Sequence, residues 1–320
     1  MRYYVLLVLI PCAAYATASV LTSLAVAAAW PMIRRRTRDA EATLRARAMA
    51  TTRLMPALVG LMSAATIAIV FIRYEPPDTT ETPGLLLVAA ASVTFGLGAA
   101  AARRLAGAIA AGVVCAQLLR TCGRSMARDD GTRVWVVDTD YPVAAVTGIL
   151  RPRLLLSTRI IDECTPGELE AVVRHEVAHV RRRDNLVRAA MLYLPDPFAY
   201  ARAGREMQQA WANAAEESAD DLAAGPQVAP RAELASALIR VARMDDRPAP
   251  RWVPALGFYE GANLAHRVSR LLEAGRLSTG RSPRAIAALV AVTACWALAL
   301  TDPVARTLHA WMEVAVQHAP

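Results

Sequence analysis

The stretch TPGELEAVVRHEVAH, Thr165–His179, decides how the rest of the chain is read. Thr165 stands at an N-cap position, Pro166 at the first helical position and Glu168 three residues after the cap, a reciprocal capping box that starts a helix. Along that helix His175 and His179 are four residues apart. Both imidazoles therefore lie on one face, one turn apart, the spacing that lets two ring nitrogens reach one tetrahedral zinc. Glu176 stands about 100° further round, in the arc of Leu169, Val172, Val173 and Val180. An inward carboxylate is costly there unless it has chemistry to perform. Zinc lowers the pKa of a bound water to about 7, and a carboxylate beside that water can take its proton and pass it to the leaving amine of a cleaved peptide. The bland alternative is a pair of histidines on a solvated helix.

A catalytic zinc site takes three protein ligands and leaves one position open, so a third ligand is sought downstream. The stretch WANAAEESADDL, Trp211–Leu222, has a helical pattern that stops at Gly225, and its separation from His179 leaves room for a helical hairpin. On a helical wheel Trp211, Ala212, Ala215, Ala219, Leu222 and Ala223 form the buried side. Glu216 borders it, whereas Glu217 and Asp221 point away. Glu216 is the expected third ligand, the alternative being an acidic solvated face. Asp220, one turn on, is placed to accept a hydrogen bond from a ligating imidazole and fix its tautomer. Asp184 either does the same or offsets Arg181, Arg182 and Arg183. His266 reads as ordinary helix surface, and Arg267 as a group that could stabilise an oxyanion.

Around this core the composition points to a membrane. Of the 320 residues 55% are hydrophobic and the mean hydropathy is +0.29, unlike an ordinary soluble globule. Apolar runs at 3–30, 54–72, 84–101 and 285–300 are expected to span the bilayer. In the first, Ala14-Tyr15-Ala16 offers a signal-peptide reading, but the run continues to Trp30 before its basic stop. The net charge of +8 is the balance of 36 basic against 28 acidic residues, and the basic ones are all Arg, a codon bias expected of a GC-rich bacterial genome. Arg34 to Arg53, Arg103 with Arg104, and Arg281 with Arg284 abut apolar runs, so they read as inner-face topology signals in the plasma membrane. They lack interleaved aromatics, which argues against nucleic-acid binding. The acidic turn Glu75 to Glu81, the N-terminus and about 20 residues after Thr301 then fall outside. The five cysteines form no C-x-x-C pair and suggest neither a disulfide framework nor a thiolate-bound metal.

The expected architecture is a mainly α, integral membrane protein of about four spans, with a cytoplasmic α+β domain at 105–284 between the third and fourth. Short strands are expected at 134–137 and 153–156, with a third within 143–150. They could offer an edge to an extended substrate. Residues 106–120 are expected to form a juxtamembrane helix or a further membrane contact, and 247–254 a loop.

Three spans, H-E-x-x-H-x-x-x-R-D (His175 to Asp184), E-x-x-A-D (Glu216 to Asp220) and a last span together resemble the BlaR/MecR family of membrane zinc peptidases. Gly148 to Ser157 and Arg267 to Leu272 are similar to segments that flank the site in that family. The resemblance implies zinc on His175, His179 and Glu216, with Glu176 as catalytic base. It also implies endopeptidase activity at the cytoplasmic membrane face, on a protein substrate such as a transcriptional repressor. A catalytically silent, zinc-binding membrane signalling or scaffold protein is the competing reading. The short stretch after Thr301 has no room for the penicillin-binding sensor domain of some members. Without Lys the chain cannot form their Ser-x-x-Lys pair, so no covalent β-lactam binding is expected of it.

Overall fold

The computed structural model describes residues 2–78, 82–127, 133–244, 264–273 and 302–317. Three long helices come first: α1 (Arg2–Thr37), α2 (Ala42–Tyr74) and α3 (Leu85–Cys122). Each is long and apolar enough to cross a membrane, and they are the three such helices among the described residues. α1 runs without a break through Ala14-Tyr15-Ala16. The fourth span expected at 285–300 and the loop at 247–254 lie outside the described residues.

All three helices outrun the spans read from hydropathy. With 36, 33 and 38 residues they measure about 54, 50 and 57 Å, against a hydrocarbon core of about 30 Å. Arg53 lies about 32 Å along α2 from Tyr74, and Arg104 about 28 Å along α3 from Leu85, at 1.5 Å per residue. Both arginines meet the same segment. Arg53 pairs with Asp196 and donates to the Met191 carbonyl at 3.0 Å, while Arg104 lies over the Tyr200 ring. One bilayer thickness thus separates the far ends of α2 and α3 from a level fixed by two arginines. Beyond it, the second half of α1 and the first half of α2 continue as a helical hairpin. Most of the Arg-rich stretch 34–53 is therefore helix, and 106–120 is the far end of α3 instead of a separate element. Its alanines and leucines carry the helix through Gly107 and Gly112.

A four-stranded sheet follows: β1 (Gly123–Ala127), β2 (Arg133–Val137), β3 (Ala144–Thr147) and β4 (Arg153–Ser157), in the order β1-β2-β4-β3. β2 and β4 run parallel and the other pairs antiparallel. The left-handed turn after β3 needs Gly148, at φ 90, where a Cβ would lie 2.7 Å from the Arg151 carbonyl. Helices α4 (Thr158–Glu163), α5 (Pro166–Arg182), α6 (Asp184–Tyr193), α7 (Arg202–Ala224), α8 (Val228–Met244) and α9 (Leu264–Leu272) complete the domain, and α10 (Asp302–Gln317) packs on α2.

Two cores matter for the site. Val134, Leu154 and Leu156 of the sheet pack with Val172 of α5 and Leu234 and Leu238 of α8. Trp30 of α1 and Met49 of α2 pack with Met207 and Trp211 of α7 and Phe198 before it, which fastens α7 to the hairpin. β3 is the sheet edge that meets α5, yet its backbone is covered. Val143 to Val146 are buried, and Asn185 donates its side-chain amide to the carbonyls of Val146 (2.9 Å) and Gly148 (3.0 Å). The exposed edge is β1.

Candidate metal centre

The capping box of α5 forms as the sequence dictates. Thr165 Oγ1 accepts from the Glu168 amide, and the Thr165 amide donates to Glu168 Oε2. Ser236 and Arg240 of α8 also donate to Glu168, so the cap joins α5 to α8. Burial pushes the Glu168 carboxyl up, but these donors outweigh it and hold the group at about 2. At its other end α5 stops at Arg183, whose left-handed φ of 56° turns the chain straight into α6 at Asp184.

α5 and α7 pack together and bring His175, His179 and Glu216 into one cluster, with ligand atoms within 4.8 Å of one another. The two Nε2 atoms are 3.1 Å apart. Glu216 Oε2 lies 3.4 Å from His175 Nε2, and Oε1 lies 3.5 Å from His179 Nε2. Each imidazole has a carboxylate behind it: Asp220 Oδ1 is 3.0 Å from His175 Nδ1, and Asp184 Oδ2 is 2.8 Å from His179 Nδ1. These partners favour the tautomer with hydrogen on Nδ1, which turns both Nε2 lone pairs into the cluster. Asp184 meets both alternatives posed for it, since Arg182 Nε also donates to it at 3.1 Å. Glu176 is 2% exposed. Burial raises its carboxyl pKa, opposed in part by the charges of His179 and His175.

The cluster fits a divalent cation by its charge. Glu176, Asp184, Glu216 and Asp220 supply four carboxylates, and Arg182 and Arg267 two guanidiniums, which leaves two negative charges uncompensated when both imidazoles are neutral. Two imidazoles and a carboxylate are the donor set of hydrolytic zinc sites. Without a metal the excess falls on His175. Burial alone would lower its pKa, but hydrogen bonding to Asp220 and Glu216 raises it to about 9. Burial likewise pushes Glu216 up, while His179 and Arg267 bring it down to about 2.

Some wheel positions on α7 need correction. Glu217 is 6% exposed, not turned to solvent, and pairs with Arg45 of α2. Asp221 accepts from Arg270 at 2.9 and 3.0 Å, and Leu222 is 57% exposed. A wheel assumes one buried side, whereas α7 is packed by α2, α5 and α9. Arg267 is 4% exposed and directs its donors at Asp220 and Glu216, so the geometry does not support an oxyanion role. His266 is surface, with Nε2 3.5 Å from Glu217 Oε1. The wheel gave no sign of Ser218, which is bonded by Arg182 of α5 and lies 2.8 Å from Thr43 Oγ1 of α2.

Residues 1–211 match the family model described as BlaR1 peptidase M56. The chain belongs to that family. The match spans the three membrane helices, the sheet and the His175/His179 helix but ends before Glu216 and Asp220, which rest on geometry. Comparison with curated proteins and with solved structures gives no match. Membership of this peptidase family, membrane-length helices and a cluster able to hold a metal ion stand together in one chain.

Proposed function

We propose that this M56-family chain is a zinc-dependent endopeptidase of the bacterial plasma membrane, with its site on the cytoplasmic side. The observation that carries the proposal is the His175–His179–Glu216 cluster, with a carboxylate behind each imidazole and the buried Glu176 next to it. His175, His179 and Glu216 would hold the ion, and zinc bound there supplies Lewis acidity toward a water and a scissile carbonyl. Glu176 takes the proton of the attacking water and returns it to the leaving amine. Asp220 and Asp184 keep the imidazoles in register. The excess of Arg at 34–53 and 103–104 supports the cytoplasmic placement. The proposed substrate is a protein at that membrane face, such as a transcriptional repressor.

The test compares the full-length protein with Glu176→Gln in cells, by profiling new protein N-termini and measuring zinc per purified chain. The expected result is about one zinc in both, with cleavage products that appear only with the unaltered chain. Identical profiles from zinc-loaded wild type and Glu176→Gln would show a zinc-binding signalling or scaffold protein without turnover. A Glu216→Ala chain with unchanged zinc would move the third ligand elsewhere.

A further inference from the structure

α9 meets α7 through three basic side chains. His266, Arg267 and Arg270 face Glu217, Glu216 with Asp220, and Asp221 respectively. α9 is itself held on α8 by Arg231, which donates to the carbonyls of Leu271 (3.0 Å) and Arg270 (2.9 Å). Within this set Arg267 differs from its neighbours. It is buried, whereas Arg270 and His266 are partly or well exposed. Its Nε and Nη2 grip the two oxygens of Asp220 at 2.8 and 2.7 Å, and its Nη1 reaches Glu216 Oε2 at 3.0 Å. One planar guanidinium thus hydrogen-bonds the carboxylate behind His175 and forms an ion pair with a carboxylate that faces both histidines.

We propose that Arg267 is a positioning residue of the metal centre, which sets the orientation of Asp220 and Glu216 through its rigid fork and so prepares the ligand set before the ion arrives. The proposal rests on reading His175, His179 and Glu216 as the ligands. A lysine in its place keeps the charge but cannot donate along two fixed parallel directions. The fork, not the charge alone, therefore carries the effect. Arg267 acts through these two carboxylates.

The experiment measures zinc affinity by chelator competition on full-length, detergent-purified protein: wild type, Arg267→Ala, Arg267→Lys and Arg270→Ala. Loss of a group that orients metal ligands weakens metal binding by about 10–100-fold. That loss is expected for both Arg267 variants. Arg270→Ala, which disturbs the same helix at Asp221, is expected to retain wild-type affinity. Wild-type affinity in Arg267→Lys would overturn the positioning role in favour of charge alone. An equal loss in Arg270→Ala would assign the effect to docking of α9 as a whole. Should Arg267→Ala fail to fold, Arg267→Lys is measured with and without Asp220→Asn. A residue acting through Asp220 loses most of its effect in that background, and fully additive losses would overturn the proposal. A wild-type chain that binds no zinc would instead overturn the metal reading underneath.

Discussion

Asp184 and Asp220 each stand behind one imidazole, but they are differently secured. Asp220 is fully buried and gripped by Arg267, while Asp184 shares its oxygens with the partly exposed Arg182. Asp220→Asn is expected to lower zinc affinity by about 10–100-fold, and Asp184→Asn to lower it less, both by chelator competition. A larger loss at Asp184 would show that His179 is the histidine more dependent on its carboxylate. The histidines and Glu176 were legible in the sequence because helical spacing alone puts them together. Glu216 and Asp220 were legible as one face of a second helix. Arg267 was noticed, but for a different role, stabilising an oxyanion, because nothing in helical spacing links it to Asp220, 47 residues away.

Among the elements, α5 carries most of the local information. Thr165→Ala removes one half of its capping box and is expected to cost about 1 kcal/mol, read as a lower thermal midpoint. Glu168 adds a pH dependence. Its folded-state pKa is about 2, below the ordinary 4.5, so its contribution is complete above pH 4.5 and is lost as pH falls toward 2. Glu168→Gln should therefore be less stable than wild type at pH 7, with the two midpoints converging as the pH is lowered below 4.5. At the start of α7, Gly204 packs so closely on Phe198 that an added Cβ would overlap the Phe198 carbonyl oxygen. Gly204→Ala is expected to displace the helix start and lower the midpoint more than Thr165→Ala does. The capped start of α5 was visible in the sequence, whereas the cap that Ser157 gives α4 was not. The lengths of α1 to α3 were not, because hydropathy falls at the membrane boundary while the helical backbone continues. β1 escaped notice for a related reason: its residues are mostly exposed and show no alternation.

At the scale of the whole molecule the membrane helices and the metal-site domain are joined by a polar contact and an apolar one. The buried Arg53–Asp196 pair marks the level where the bilayer is expected to end. Arg53→Met would leave the Asp196 charge without its partner and is expected to cost about 3–5 kcal/mol, seen as lost thermal stability or lost expression. Single cysteines at position 38 and at position 78, in a chain cleared of its own cysteines, should react with an impermeant thiol reagent from opposite sides of the membrane. Labelling of both from one side would refute the proposed orientation. The sequence told which segments are apolar, but not that the helical hairpin outruns them and packs against α7, since that depends on packing between distant parts of the chain.

The contact between α7 and that hairpin reaches further than anchoring. Glu216 faces the histidines, while Glu217, the next residue, holds Arg45 on α2, and Ser218 after it lies between Arg182 of α5 and Thr43 of α2. Three successive residues thus mesh like teeth on one shaft. One turn of α7 carries a carboxylate of the histidine cluster and the grips on α2 and α5 side by side, so its seating on the hairpin and the placement of Glu216 rest on the same stretch of helix.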